Sequence, residues 1–418
     1  MSPLIELVVL VVRSYPGIFA NPMVDVLYLV VLGLVAGQYS RVQSLEEKMY
    51  GRAKNKALYH TVVAVGLGLL GGLFASILLV LAGVSVTESG ISYLLPIALV
   101  LYLFSPRFVC YSYAGGLVSL SYLLFGQPKV NVPAVMALVA CLHLAEALLI
   151  RISGKSCATP LYIAHRDGQV VGGFGLQRFW PIPLIVLFLI KVPDISRIEG
   201  LIHLPDWWPL VKAPEVPGFG TPVFHMIPIV AALGYGDLAV SRDPAQKARS
   251  TSKNLFLFSV LLLGFSIAAS RWHAFSWVAA LFSPVAHELV IRVAVKEEFD
   301  GEPYYVARDR GVMVLDVLDG TPAQKAGIER GNVVCLVRGI EVSTREEMEV
   351  LLKEPGDVEL AVKKDPYSGV LRRVVIKRQS SEPLGIITVP QIGDQPVVKP
   401  YSDGWLIQLF KKIAGKTA

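Results

Sequence analysis

The stretch His287-Glu288-Leu289-Val290-Ile291 carries the residue types of a hydrolytic metal site. Such a site needs two histidines one helical turn apart to ligate zinc, with a glutamate between them as general base. Here isoleucine stands where the second histidine belongs. The further ligand, an aspartate in an Asn-Pro-x-x-x-x-x-Asp-Gly context within a later apolar run, is missing too, and Asp319-Gly320 matches only two of its letters. Zinc hydrolysis is therefore not expected. A serine nucleophile would need a base and a Gly-x-Ser-x-Gly elbow, and neither declares itself. His143 and Glu146 lie three apart on one helix face, and His287 adjoins Glu288. Ionisable groups inside apolar runs are functional candidates by default, although a helix-pairing hydrogen bond worth roughly 1 kcal/mol explains them equally simply. The four cysteines (Cys110, Cys141, Cys157, Cys335) show no CxxC or CxxxC spacing. Cys110 and Cys141 sit in apolar runs as small hydrophobes, so no disulfide framework and no zinc cluster are implied. The sequence thus yields no catalytic residue, no metal ligand set and no cofactor.

The surrounding elements set the solvent of these groups. Of 418 residues, 53% are apolar and 17% charged, and the mean hydropathy is +0.55. Soluble proteins carry about 25% charged residues, so the balance points to lipid. Apolar runs lie at 22–39, 61–84, 91–105, 108–125, 132–150, 180–191 with flanks, 223–240, 254–270 and 273–293. They approach or reach the roughly 17–25 residues that a helix needs to cross a bilayer. Backbone N–H groups in hydrocarbon need internal partners, so the runs are expected to be helices. The expected fold is a membrane all-α helical bundle of six to nine spans over residues 1–295. Residues 3–19, interrupted by Arg13 and Pro16, fit an interfacial segment or half a hairpin. No small-residue cleavage site follows them, so no removable signal peptide is expected.

The net charge of +6 is distributed as in a membrane protein rather than a nucleic-acid binder. Arg41, Lys48, Arg52, Lys54 and Lys56 fill one loop; Arg151, Lys155, Arg166 and Arg178 a second; Arg242, Lys247, Arg249 and Lys253 a third. Nine spans place all three loops, and everything after residue 293, on one side. Lysine- and arginine-rich loops stay cytoplasmic. Within loop 157–180, Asp167-Gly168 marks a strand pair. Loop 192–222 is proline-rich, with Trp207 and Trp208 reading as interfacial anchors.

After Lys296 the chain changes to mixed charge, short strands and one helix. Gly311–Val317 alternates as a half-buried strand, and Thr321–Ile328 reads as a turn, a short helix and a glycine stop. Ser343 with Glu346, or Thr344 with Glu347, forms a capping box. The helix it opens runs to about Glu354, with Met348, Leu351 and Leu352 on one face. Val358–Lys363 and Val370–Lys377 close a hairpin. The run GVMVLDVLDGTPAQKAGIERGNVVCLVRGIEV resembles the core signature of bacterial PDZ domains over about 80 residues. That resemblance implies a small α+β PDZ-like domain at 296–380 that adds an extended peptide as a strand beside a helix. Carried over, the peptide-binding residues are Gly301, Tyr304, Tyr305, Val306, Met348, Leu351 and Leu352, with the binding strand at Tyr304–Arg308. The expected Gly-Leu-Gly-Phe type of carboxylate turn is replaced by Phe299-Asp300-Gly301-Glu302-Pro303. There Glu302 would repel a terminal carboxylate and Pro303 lacks an N–H. Pro383-Leu384-Gly385-Ile386 resembles such a turn, or else begins another strand. Residues 381–418 read as a linker and an amphipathic C-terminal helix at Gly404–Gly415, suited to an anionic membrane surface or to docking on the PDZ-like domain.

A multi-span region whose last span runs Ser283-Pro284-Val285-Ala286-His287-Glu288 into one C-terminal PDZ-like domain resembles the MinJ family of Gram-positive bacteria. The stretch from Gly172 to Pro183 (GGFGLQRFWPIP) is similar as well. The resemblance implies a non-enzymatic scaffold or adaptor in the plasma membrane for placing cell division. Its implied partners are a DivIVA-like scaffold and Min system proteins, besides the lipid bilayer and with no nucleic acid. The alternatives are an atypical intramembrane metalloprotease of the site-2 kind, lacking the full zinc motif, and a PDZ-regulated transporter.

Overall fold

The structure, a computed structural model, describes residues 2–87, 89–197, 201–213, 219–378 and 383–397. The expected helix at 404–415 lies outside them. The N-terminal part contains α1 (Pro3–Ser14), α2 (Pro22–Tyr50), α3 (Ala57–Ala82), α4 (Leu94–Phe104), α5 (Tyr111–Phe125) and α6 (Val132–Ser153), and later α7 (Pro244–Ala269) and α8 (Ala274–Asp300). Six of these, α1 with the turn that extends it to Ala20 and α2, α3, α6, α7 and α8, are long and apolar enough to cross a membrane. The protein is a membrane protein. A helix of 26 residues spans about 39 Å at ~1.5 Å per residue, against a hydrocarbon core of ~30 Å. The runs at 91–105 and 108–125 are shorter than the sequence suggests. Pro106 ends α4 at 11 residues and leaves α5 with 15, so neither helix crosses alone. The hub is α6, with 83% of its span buried.

Two expected helical spans are strands, so the membrane part is not all-α. Residues 180–191 belong to β2 (Val170–Val192) and 223–240 to β3 (Thr221–Ala239); with β1 (Ala158–Ala164) they form an antiparallel sheet in the order β1-β2-β3. Prolines at 181, 183, 222 and 228 oppose helix, yet this strand register accommodates all four. The ladder pairs Pro181 with Ala232 and Pro183 with Val230. On β2 the odd-numbered residues turn their N–H groups away from β3: Phe179 N donates to the Tyr39 hydroxyl (3.1 Å), Ile185 N to Ser76 Oγ (2.8 Å) and Leu189 N to Thr87 Oγ1 (2.6 Å). Pro181 and Pro183 fall on that same edge. By the same alternation Pro222 and Pro228 face away from β2, so no proline interrupts the β2–β3 ladder.

An open sheet edge is forbidden in lipid but is tolerated where protein covers it, and α3 is the cover. It runs parallel to β2, with Gly68 against Pro181, Gly72 against Pro183 and Ser76 against Ile185. Four helix residues advance about 6 Å and two strand residues about 6.6 Å, so one helical turn meets every second strand residue. A Cβ on Gly68 or Gly72 would lie 2.2 or 2.1 Å from the Pro181 or Pro183 carbonyl oxygen. Only glycine allows this approach. The Tyr15 hydroxyl also reaches Pro183 O (2.9 Å), and at the far end Val86 N donates to Leu187 O (2.8 Å).

The C-terminal unit is a six-stranded sheet ordered β8-β7-β5-β4-β9, with β6 also paired to β5. Its elements are β4 (Val312–Val317), α9 (Pro322–Lys325), β5 (Val333–Val337), β6 (Ile340–Glu341), α10 (Arg345–Leu352), β7 (Val358–Lys363), β8 (Leu371–Ile376) and β9 (Ile386–Thr388). Thr344 and Glu347 form the capping box that opens α10. The edge strand β9 comes from beyond residue 380: Leu318 N donates to Gly385 O and Val389 N to Met313 O. This unit joins the end of the bundle that carries the basic loops. Lys54 and Arg330 both pair with Asp316 (3.5 and 3.1 Å), and the Arg330 guanidinium stacks over Phe174 at 4.0 Å.

Candidate functional site

The rim between α10 and β9 is the part of the C-terminal unit suited to hold an extended segment. β9 ends the sheet. Since Gly385 and Val389 bond to β4, the backbone groups of Ile386 and Thr388 point to the other edge. Arg345, the first residue of α10, forks onto both Asp394 oxygens at 2.9 Å and donates to the Tyr162 hydroxyl (3.3 Å). That hydroxyl donates to Thr388 O (3.1 Å), while Val397 N donates to Tyr162 O (2.8 Å). Tyr162 of β1 and the segment after β9 therefore bridge the helix to the outer edge of the strand. Burial alone would raise the Asp394 carboxyl, but the hydrogen bonds from Arg345 and the Gln391 amide outweigh it and hold it below the ordinary carboxylate range.

The seven expected peptide-binding residues divide into two places. Met348 is buried in the core of the C-terminal unit, and Leu351 and Leu352 pack partly against it. Tyr305 is 1% exposed and packs with Phe174, Met313 and Leu315 in the larger cluster that continues into the bundle. The expected strand at Tyr304–Arg308 is absent: Tyr305 makes only an isolated bridge with Gly172, Tyr304 N donating to Val240 O (3.0 Å) and Gly172 N to Tyr305 O (2.8 Å), so this segment is already tied to the ends of the hairpin. Tyr304 rests edge-on against Tyr305, Val306 joins Leu161, Ile163, Val171 and Phe299, and Gly301 abuts Ser241 at the end of α8. Gly301 to Val306 thus form a seam between α8, the membrane sheet and the C-terminal unit. The strand pair around Asp167-Gly168 is legible in the sequence and is present as β1 and the start of β2; its docking against Tyr305 and Val306 is not, because those contacts are non-local.

The buried polar residues of the bundle group differently from their sequence neighbours. Glu288 accepts from Tyr113 Oη and Arg292 Nε (2.7 Å each) and pairs with Arg107 (3.5 Å). It faces an ion-pair cluster, and a general-base role has no support. His143 and His287 meet at Cys110, which lies 33 residues before the first and 177 before the second. Asp237 is largely buried beside Lys247 (3.4 Å), which also faces Glu298 (3.7 Å).

Searches against family models give no match to the chain. It is 32% identical over 80 residues to the putative serine protease HhoA of Synechocystis sp., covering 19% of this chain and 20% of that one. It is 25% identical over 211 residues to the cell division topological determinant MinJ of Bacillus subtilis, covering 50% of this chain and 49% of that one. The chain is MinJ-like on a match that spans about half the length of that relative.

Proposed function

We propose that the chain is a membrane-anchored adaptor for placing cell division, and that its C-terminal unit is a cytoplasmic PDZ-like module. In this reading an extended partner segment adds to the outer edge of β9, with Leu351 and Leu352 of α10 as its apolar wall and Pro383–Gly385 as the turn at its end. The observation that carries it is the edge strand: β9 pairs with β4 on one side and with no further strand among the described residues. Main-chain pairing along such an edge gives affinity, and side-chain pockets give specificity. MinJ similarity supports the division role. The basic loops at the same end of the bundle support a cytoplasmic module. The partners are those the resemblance implies, a DivIVA-like scaffold and Min division inhibitors. The adaptor is non-enzymatic, since Glu288 is tied to Tyr113, Arg107 and Arg292 rather than to a reacting group.

The test is chemical crosslinking and affinity capture in cells through a tag on the membrane part, comparing the intact chain with one lacking residues 297–418. Division proteins should crosslink to the intact chain and vanish from the capture set of the truncated one. An unchanged capture set would sink the recruitment reading.

A further inference from the structure

Three ligand-type atoms from three elements converge in the middle of the bundle. Cys110 caps the start of α5, His143 lies midway along α6 and His287 midway along α8. Cys110 Sγ is 3.1 Å from His143 Nε2 and 3.5 Å from His287 Nε2, and all three ligand atoms lie within 4.8 Å of one another. Both histidines are buried, at 3% and 8% exposure. Phe258 stands edge-on to both rings at 5.5 Å and Tyr113 to His287 at 5.3 Å, so the walls are aromatic.

Hydrogen bonding alone does not account for this convergence. His143 Nδ1 lies 2.7 Å from Val139 O, a carbonyl that only accepts, so Nδ1 carries the proton and Nε2 presents a lone pair. A thiol has one proton, so Cys110 can donate to His143 only, and His287 must then turn Nε2–H to the sulfur and leave its Nδ1 lone pair without a donor. His287 Nδ1 is itself buried without a partner, so neither tautomer of that ring is fully satisfied by the protein. A thiolate and two imidazole lone pairs aimed at one point are instead a ligand set. Zn–S of about 2.3 Å and Zn–N of about 2.05 Å at the tetrahedral angle put sulfur and nitrogen about 3.6 Å apart; the Cys110–His287 separation of 3.5 Å matches this, and the Cys110–His143 separation of 3.1 Å would open by about 0.5 Å on binding. The Val139 carbonyl then does what outer partners of metal-bound histidines do, fixing tautomer and ring orientation.

We infer that Cys110, His143 and His287 bind a zinc ion that clips α5, α6 and α8 together within the membrane. Three protein ligands leave the fourth tetrahedral position to water, and Glu288 points to its own ion pairs rather than to that position, so the ion is assigned the role of holding the helices together. As α8 leads directly into the C-terminal unit, the clip also anchors the helix on which that unit is mounted.

The test uses the full-length protein in detergent. Zinc should be present at about one per chain by elemental analysis, and replacing it with Co²⁺ should give thiolate-to-cobalt charge-transfer absorption with tetrahedral ligand-field bands. Cys110→Ser should lose that absorption and at least ten-fold in zinc affinity. His143→Gln and His287→Gln should each lose a similar factor. Background zinc, together with no charge-transfer absorption when wild-type protein is titrated with Co²⁺, overturns the inference whether or not the variants fold. So does Co²⁺ absorption that persists in Cys110→Ser.

Discussion

Ser76 offers a direct test of the strand that replaces an expected helix. Its hydroxyl donates to Gly72 O within α3 (2.7 Å) and accepts from Ile185 N on β2 (2.8 Å). Gly72 O is a helix carbonyl with a backbone donor of its own, so Ser76→Ala costs little there. Ile185 N has no other role, because β2 turns it away from β3. The substitution therefore leaves one buried N–H unpaired, at about 1–3 kcal/mol, a large share of a total stability of about 5–15 kcal/mol. Were 180–191 helical, Ile185 N would bond to the Pro181 carbonyl four residues back, and Ser76→Ala would be neutral or slightly stabilising. Ser40→Ala is the control: that hydroxyl only back-bonds to Ala36 O on an exposed face, and should change stability by less than about 0.5 kcal/mol. Reversible unfolding in mixed detergent micelles measures both, and hydrogen exchange at the Ile185 amide should accelerate only in Ser76→Ala. Equal stabilities for the two variants would refute the argument.

Two other perturbations have calculable signs. Lys247→Met removes the cation between Asp237 and Glu298 at the junction of β3, α7 and α8; Glu298 keeps Arg242 but Asp237 keeps only hydrogen bonds, and removing one partner of a buried ion pair costs about 3–5 kcal/mol. Adding Asp237→Asn and Glu298→Gln should recover most of it in the same unfolding assay, and a neutral single variant would contradict the network. At the rim, Asp394 titrates below the ordinary carboxylate range. The contribution of its pairing with Arg345 is then complete above about pH 3.9, the usual aspartate value, and is lost as pH falls through the lower folded value. A spin label at the fully exposed Ile392 should gain mobility on acidification and, at neutral pH, in Asp394→Asn. Unchanged mobility in both would show that the pair does not hold the segment.

What the sequence reveals here depends on which residues supply the partners. The capping box at Thr344 and Glu347 and the glycine stop after α9 are local, and both are readable in the C-terminal pattern. The span-length helices α2, α3, α6, α7 and α8 are likewise set by apolar length. The β2–β3 hairpin defeats that logic because β2, buried on both faces, and β3, apolar along most of its length, are continuous apolar runs, the same signal as a helix. The discriminating marks are the prolines at alternate positions 181 and 183 and the matching small residues Gly68, Gly72 and Ser76 one turn apart on α3. They become intelligible only as a pair. The meeting of Cys110, His143 and His287 follows from packing alone, so no spacing rule reaches it.

The hairpin also changes how the C-terminal unit relates to the bundle. A linker after α8 would let that unit act independently, yet the residues after Asp300 pair at once with Val240 and Gly172, and Arg330 lies over Phe174. The outer edge of β9 is in turn touched by Tyr162 from the strand paired with β2. An incoming strand needs the Thr388 carbonyl that Tyr162 holds, so binding there must first displace an internal contact. The apparent affinity is then the intrinsic one scaled by the fraction of molecules in which that edge is free. On the recruitment reading proposed above, any change that loosens β1 from β2 bears on that fraction, so the membrane sheet would bear on partner binding as well as anchor the unit.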